Sequence, residues 1–145
     1  MKQKIVKTTE GQRINVLGDN QVLKLTGKDT DGQFAVIIQN LPPGIGVPKH
    51  IHSNDDEHFH LLEGEIHFEV GNEEYTLKAG DMIFLPRHIP HSLRVAGDKT
   101  AVVRLTIVPA GAEEMFIELD KLPAGPPDMG TVTEICGRYG VSFVQ

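Results

Sequence analysis

Residues 44–64 read GIGVPKHIHSNDDEHFHLLEG, and this segment contains four of the seven histidines of the 145-residue chain. In an extended strand, residues two apart project from the same face. His50 and His52 therefore point in the same direction, just after Pro48 constrains the backbone. Two imidazoles on one face suit a transition-metal ion, provided that other parts of the chain supply further ligands.

Two further side chains are placed to complete such a site. Glu57 follows the polar loop 53–56 and begins the next predicted strand, so it could return across the sheet beside the imidazoles. His91 follows Pro86 and Pro90, which fix the start of another strand. Three imidazoles and one carboxylate form a mixed site for a divalent ion, in which positions usually stay open for water or substrate. We therefore predict a metal site formed by His50, His52, Glu57 and His91.

The chain up to about residue 109 alternates short apolar runs with turn signals. The predicted strands are 22–25, 34–39, 58–62, 66–70, 74–77, 82–85, 92–95 and 101–108. Residues 41–48 (LPPGIGVP) are predicted to be an irregular link, because their prolines exclude a helix. Many short strands with Gly-rich turns predict an all-β sandwich or barrel. The core is predicted to include Phe34, Phe59, Phe68 and Phe84, one or two of which could instead line the cavity.

The last 35 residues have a different pattern. Residues 112–122 can form a short helix, and Thr131 with Glu134 has capping-box spacing. Apolar residues then repeat at helical spacing as far as Gly140, and Cys136 on that stripe is predicted to be a buried structural residue. We predict one domain over residues 1–145, with a barrel at about 15–109 and short helices outside it at about 110–145.

Composition limits the classes of partner. The chain has 14 Lys and Arg against 20 Asp and Glu, a formal charge of −6, which disfavours binding to nucleic acid or acidic membranes. Its single cysteine excludes an intrachain disulfide and a thiolate-rich metal site. Because no signal peptide or membrane-spanning segment is recognisable, we predict a cytoplasmic location. Exposed sheet edges favour a homodimer.

The remaining polar residues receive less specific predictions. If Glu57 points inward, strand alternation sends His58 and His60 outward. His67 is ambiguous, and His88 is expected on the surface, although it could reach the pocket rim as an acid–base group. Arg104 alternates with an apolar set, which predicts a solvent-facing or salt-bridged side chain; a lone cation orienting an anionic substrate is the alternative.

Two motifs give the chain a family resemblance. Gly44–Gly64 resembles the first cupin motif, G-x5-H-x-H-x4-E-x6-G, at every spacing. Gly80–Val95 (GDMIFLPRHIPHSLRV) is similar to the second motif, G-x5-P-x-G-x2-H-x3-N, but has His88 in place of Gly and Val95 in place of Asn. The resemblance implies a double-stranded β-helix (the cupin jelly-roll barrel), with the same four side chains as metal ligands. It also implies that Gly64 and Gly80 are turn residues, and we expect Asp81 to cap the second turn.

The function implied by this resemblance stays broad. The chain looks like the small single-domain cupins grouped with quercetin dioxygenase-like proteins. We therefore expect a dioxygenase-like enzyme that holds one divalent Fe, Mn, Ni, Cu or Zn ion and acts on a small organic substrate, aromatic or enolisable. Glu57 could be its catalytic base. The alternatives are a non-redox metal-dependent isomerase, lyase or hydrolase, and a non-catalytic module that binds a small molecule.

Overall fold

The computed structural model describes residues 1–145, and its regular structure is mainly β. In chain order the strands and helices are β1 (Gln12–Val16), β2 (Asp19–Leu25), α1 (Gly27–Thr30), β3 (Ala35–Leu41), β4 (Gly46–His52), β5 (Asp56–Glu63), β6 (Glu65–Val70), β7 (Glu73–Lys78), β8 (Met82–Leu85), β9 (His91–Ala96), β10 (Ala101–Val108), α2 (Ala112–Asp120), α3 (Met129–Arg138) and β11 (Val141–Phe143). None of the helices is long and apolar enough to cross a membrane.

The strands form two antiparallel sheets. Sheet A has the order β1-β2-β3-β10-β5-β8, and sheet B has the order β11-β4-β9-β6-β7. The predicted all-β jelly-roll fold is confirmed, although the two sheets do not join into a closed barrel. All eight predicted strands overlap observed ones. Of the other three strands, β4 was expected only as the short extended segment that carries His50 and His52, and β1 and β11 were not predicted.

The core lies between the inner faces of the sheets. Along β10, Val103, Leu105 and Ile107 are almost completely buried, whereas Arg104 between them faces outward. This alternation is the pattern expected of a sheet with one face on the core and one toward solvent. Burying each such aliphatic side chain stabilises the fold by about 1.5–3 kcal/mol. The Arg104 Nη2 atom lies 3.1 Å from His60 Nδ1 on the outer face, which confirms the outward orientation predicted for both residues.

The predicted phenylalanine core is partly wrong. Phe59 and Phe68 are buried and pack against each other with ring centroids 5.5 Å apart. Phe34 is only half-buried, at the residue before β3. Phe84 is 60% exposed, because it is on the outer face of β8, a strand at the edge of sheet A. An edge strand has a neighbour on one side only, so its outward side chains receive little cover.

The predicted irregular link also needs correction, because β4 already begins at Gly46. The register of β4 against β9 shifts between Val47 and His50, which marks a β-bulge around Pro48. Proline lacks an N–H group, and a bulge is one of the few places where a strand accepts it. A side chain on Gly46 would also collide with the Leu93 carbonyl of β9, so glycine permits the close approach of the two strands.

The helical tail begins at a different cap from the predicted one. The N-cap of α3 is Asp128, whose Oδ1 accepts a hydrogen bond from the Gly130 N–H at 3.0 Å. Thr131 lies inside the helix and donates its hydroxyl to the same carboxylate, so the predicted capping box with Glu134 is wrong. An ionised carboxylate is an effective cap because it meets the positive end of the helix dipole. Cys136 is buried, as predicted, and burial raises the pKa of its thiol.

Candidate metal centre

Strands from both sheets carry the four predicted ligands into the interior. His50 and His52 lie on β4 and His91 lies on the neighbouring β9, all in sheet B. The bulge around Pro48 sets the register so that His50 is directly opposite His91, with ring centroids 4.4 Å apart. Bulges commonly redirect side chains near functional sites, and this one brings two imidazoles face to edge.

Glu57 reaches the centre from the opposite side. It lies on β5 in sheet A, so it faces the three histidines across the interior and does not return beside them within one sheet, as the sequence suggested. Alternation along β5 buries Glu57 and turns His58 outward, as predicted. One nitrogen from each imidazole and one oxygen of Glu57 lie within 4.8 Å of one another. The structure therefore brings together all four predicted side chains.

The four residues form a polar cluster that is almost completely buried. His50, His52, Glu57 and His91 are all at least 94% buried. The Oε1 atom of Glu57 lies 2.9 Å from His52 Nε2 and 3.2 Å from His91 Nε2. Buried charges are costly unless they are paired or coordinate a metal. The cluster satisfies this requirement either through protons shared with Glu57 or through a cation held in their place.

The Nδ1 atoms of all three histidines face hydrogen-bond acceptors away from the centre. His50 Nδ1 donates to the Pro48 carbonyl at 2.7 Å, and His91 Nδ1 lies 3.2 Å from the Ile89 carbonyl. His52 Nδ1 donates to the buried carboxylate of Asp55 at 2.6 Å. Because these partners only accept hydrogen bonds, each Nδ1 carries the proton, and a neutral imidazole then presents a free Nε2 lone pair. This is the arrangement that metal-binding histidines adopt, so the donor set fits a divalent ion.

Asp55 is the functional candidate that the sequence analysis missed. It was grouped with the polar loop 53–56, yet it is 4% exposed and contacts His52 directly. A carboxylate commonly orients a ligating histidine from the side remote from the metal. The signal available in the sequence was an acidic residue three positions after His52, which is too common a feature to single out one residue of the loop.

When no cation is present, the pKa values of His50 and His52 shift in opposite directions. Burial lowers the pKa of His50 to about 4, and the positive charge of His91 adds to this effect. Burial also acts to lower the pKa of His52, but the negative charge of Glu57 and the hydrogen bonds to Asp55 and Glu57 outweigh it and raise the pKa to about 10. Burial acts to raise the pKa of Glu57, but its histidine neighbours hold it well below its usual range. His52 therefore carries a proton that a metal ion would have to displace.

A second loop is held close to the centre by an ion pair. The guanidinium of Arg87 binds Asp56 through Nε at 3.0 Å and Nη2 at 3.1 Å, and the Arg87 N–H donates to the same carboxylate at 2.8 Å. The next residue, His88, has a positive φ of 73°, and its N–H donates to the His52 carbonyl at 2.7 Å. His88 therefore occupies the left-handed conformation that favours the glycine of the cupin motif.

The other turn predictions agree with the structure. Gly64 and Gly80 have positive φ angles of 80° and 97°. Asp81 Oδ2 accepts a hydrogen bond from the Lys78 N–H at 2.8 Å and so caps the second turn.

His67 is on the outer face of β6, where its Nδ1 lies 3.2 Å from Thr76 Oγ1. His88 is exposed and does not line the interior cavity, which argues against an acid–base role there.

A cavity of about 220 Å³ opens onto the centre, and 16 of its 24 lining residues are hydrophobic. His50, His52 and Glu57 line one part of it. The helices flank the sheets as predicted, and in addition they close this cavity: Met115 and Leu119 of α2 and Val132 of α3 are in its wall. An apolar cavity with a few converging polar groups is the usual form of a small-molecule site.

The fold and the centre together define a class of protein. Residues 37–108 match the family described as Cupin domain, and this segment contains all four clustered side chains and Asp55. The chain belongs to the cupin superfamily, as its two motifs implied.

The individual relatives differ in what they are named for. Quercetin 2,3-dioxygenase of Bacillus subtilis is 31% identical over 114 residues, which are 77% of this chain and 33% of that protein. An uncharacterized HTH-type transcriptional regulator of Haemophilus influenzae is 32% identical over 82 residues, 56% of this chain and 25% of the regulator. The chain thus spans a third of the first relative's length and a quarter of the second's. The solved structure of ectoine synthase from P. lautus aligns with a TM-score of 0.65 at 25% identity, over 86% of this chain and 93% of that chain.

Proposed function

We propose that this protein is a metal-dependent, dioxygenase-like enzyme that acts on a small organic substrate, aromatic or enolisable. His50, His52, Glu57 and His91 would hold one divalent Fe, Mn, Ni, Cu or Zn ion. The observation that carries the proposal is that all three Nδ1 atoms are occupied by acceptors, which leaves three Nε2 atoms and one carboxylate directed to a common point beside an apolar cavity.

The chain's own residues supply binding, orientation and proton transfer. A bound ion would contribute Lewis acidity and open coordination positions for oxygen-bearing groups of the substrate. A substrate packed against the apolar walls would exclude water, which would strengthen electrostatic interactions at the centre. Glu57 is the one carboxylate of the four clustered side chains, and it is the proposed base for a substrate hydroxyl or an acidic C–H group.

The dioxygenase assignment is supported by the similarity to quercetin 2,3-dioxygenase. That similarity covers only 33% of the relative, so the reaction and the substrate of the whole relative are not transferred. The apolar cavity favours a substrate with a hydrophobic body, and its volume of about 220 Å³ favours a small one.

Metal analysis tests the first part of the proposal. Protein purified without added metal is measured by elemental analysis, and its crystals are examined for an anomalous signal between the four side chains. The matched variants are His52→Ala, which removes a proposed ligand, and His58→Ala, which removes an outward-facing histidine of β5, the next strand along the chain. We expect His52→Ala to lose the metal and His58→Ala to retain it. Equal metal content in both variants would contradict the site.

Oxygen uptake tests the reaction. Metal-loaded protein is mixed with a panel of flavonols, diketones and thiols in an oxygen electrode, alongside Glu57→Gln and Glu69→Gln. We expect Glu57→Gln to lose activity through altered metal affinity or a lost base, and metal content measured on the same sample separates these two effects. Glu69 is on β6, outside the cluster, so its variant should retain activity. No uptake across the panel would count strongly against the oxygenase.

Two other functions have specific support. The first alternative is a non-redox metal enzyme, which would work with zinc and without oxygen, and it is kept because a structural neighbour is named as a synthase and not as an oxygenase. The second alternative is a module that binds a small molecule without turnover, and it is kept because one relative is named as a transcriptional regulator and not as an enzyme. Running candidate reactions anaerobically separates the first of these from an oxygenase. Thermal-shift screening that finds tight ligands that are never converted would favour the second.

We also propose a homodimer formed through the edge of sheet A. Strand β8 ends this sheet, and its Met82 and Phe84 side chains are 54% and 60% exposed. Pairing of this edge with a second copy would cover both side chains and the unpaired backbone groups. The cytoplasmic location, the single domain and the absence of a nucleic-acid partner stay predictions.

A further inference from the structure

Three polar side chains form a second cluster in the wall of the same cavity. Asp19 and Gln21 are two residues apart on β2, and Gln21 is directly opposite Gln39 on β3. Strand alternation therefore turns all three toward the interior. Asp19 and Gln39 are each 7% exposed and Gln21 is 1% exposed. We call this group the Asp19 cluster.

The hydrogen bonds inside the Asp19 cluster fix the orientation of both amides. Gln21 Nε2 and Gln39 Nε2 each donate to Asp19 Oδ2 at 2.8 Å. An ionised carboxylate only accepts hydrogen bonds, so each glutamine must present its NH2 group to it. The two amide oxygens are therefore directed elsewhere. Turning either amide round would place two acceptors against each other.

This orientation leaves three buried oxygens without a partner: Asp19 Oδ1, Gln21 Oε1 and Gln39 Oε1. Nearly all buried polar atoms in proteins are hydrogen-bonded, and each exception calls for an explanation. All three orphan atoms are acceptors. The cavity wall contains no lysine or arginine that could neutralise the carboxylate. Burial raises the pKa of Asp19 to about 6, while the two glutamine hydrogen bonds oppose the rise, so the group is mainly ionised at neutral pH.

The unpaired acceptors and the uncompensated negative charge of the Asp19 cluster match one kind of ligand group. It lacks three hydrogen-bond donors and one positive charge. A water molecule has two donors and no charge, whereas a primary ammonium group has three donors and one positive charge. We propose that the Asp19 cluster binds a primary ammonium group of a small molecule that occupies the cavity.

The Asp19 cluster and the metal centre are separate subsites of one cavity. On sheet A, Gln39 pairs with Val103 and Val103 pairs with Leu61, which lies four residues after Glu57 on β5. Four residues of strand correspond to about 13 Å, and the two strand spacings between β3 and β5 add about 10 Å across the sheet. The wall between them includes Phe59 and Leu105. A ligand that fills the cavity would have an ammonium group at one end, an apolar middle and an oxygen-bearing group at the metal end.

The proposal that the protein binds an ammonium group follows from the Asp19 cluster alone. The proposal that this binding selects the substrate rests on the proposed function. The test therefore begins with metal-free protein in the presence of a chelator, where an amine cannot bind through the metal. The probes are n-pentylammonium and the uncharged n-pentanol, titrated by calorimetry. We expect wild-type protein to bind the ammonium at least tenfold more tightly than the alcohol.

Two variants and one control assign the preference to the cluster. Asp19→Asn removes the charge at nearly constant volume, and Gln39→Leu removes one acceptor together with the amide group that donates to Asp19. Asp31→Asn removes a charge from an exposed position in the same part of the chain. We expect Asp19→Asn to abolish the preference for ammonium, Gln39→Leu to reduce it several-fold, and Asp31→Asn to leave it unchanged. If Asp19→Asn fails to fold, as judged by circular dichroism, Gln39→Leu decides the outcome.

Three results would overturn the proposal: equal binding of the two probes by wild-type protein, an unchanged preference in both cluster variants, or crystals soaked in pentylammonium that show only water on the three oxygens. These results are distinguishable from a failure of the proposed function. Ammonium binding without any turnover would refute the enzyme and keep the subsite. Turnover of an uncharged substrate that Asp19→Asn leaves unaltered would keep the enzyme and refute the use of the subsite in substrate selection.

Discussion

Replacing Asp55 by Asn tests whether the buried carboxylate behind His52 tunes the metal centre. The substitution keeps an oxygen that can accept the His52 Nδ1 hydrogen at the observed 2.6 Å, but it removes the negative charge. A hydrogen bond to a charged group contributes about 1.5–3 kcal/mol, and loss of such a partner typically weakens metal binding by about 10–100-fold. We therefore expect the Asp55→Asn protein to bind zinc at least about tenfold more weakly than wild type.

The loss can be measured by calorimetry and by thermal unfolding. At free zinc equal to 100 times the wild-type dissociation constant, the ion stabilises wild type by about 2.7 kcal/mol, and a tenfold weaker site gains only about 1.4 kcal/mol. For a domain of this size, that difference shortens the zinc-induced rise in Tm by about 3–5 °C. Each variant is compared with its own metal-free baseline, which removes any direct effect on folding.

Asp56→Asn is the matched control for this experiment. Asp56 is the adjacent carboxylate, and it binds Arg87 and no histidine. Its removal changes the net charge equally, so only a small change in zinc affinity is expected. Equal zinc affinity in wild type and Asp55→Asn would refute the argument that the charge behind His52 supports the site.

Three other perturbations test separate features. In metal-free protein, the pKa of His50 is about 4 and that of His52 about 10, against an ordinary value of 6.5. Stability is then lost as pH falls from 6.5 toward 4, because the unfolded chain binds a proton at His50 that the folded protein does not accept. It is also lost as pH rises from 6.5 toward 10, because the unfolded chain releases the His52 proton that the folded protein still holds. Urea unfolding with a chelator should show a maximum near neutral pH, and a profile that rises steadily to pH 9 would contradict this. His88→Gly should preserve or raise stability, whereas His88→Val should lower it by about 1–2 kcal/mol at its positive φ, as read from thermal denaturation; equal stability of the two variants would count against strain there. Light scattering should find a dimer for wild type and a monomer for Phe84→Glu, and a wild-type monomer at micromolar concentration would exclude the proposed interface.

The strands and the four clustered side chains could be predicted because each depends on short-range spacing. Alternation fixes which residues of β5 face inward, so Glu57 and His58 were assigned to opposite faces correctly. The rigid prolines before His91 identified the third histidine. These features are local, and a single sequence carries them without knowledge of how the sheets pack.

The features that escaped prediction depend on long-range packing. The sequence around Pro48 does not predict that a bulge will place His50 opposite His91. A bulge is defined by the pairing of β4 with β9, which the local sequence does not contain. The burial of Asp55 depends on the position of His52, and the exposure of Phe84 depends on β8 being the last strand of its sheet. The Asp19 cluster escaped for the same reason, since two glutamines and an aspartate look like ordinary surface residues until β2 and β3 are paired.

The helices that close the cavity lie outside the segment that matches the family. Residues 37–108 contain the four clustered side chains, whereas much of the cavity wall comes from α2, α3 and the start of β2. The four clustered side chains and part of the cavity wall are thus encoded in different portions of the gene. Recombining the tail of one homologue with the central segment of another is consequently a rational route to an altered cavity, because the exchanged part contains none of the four clustered side chains.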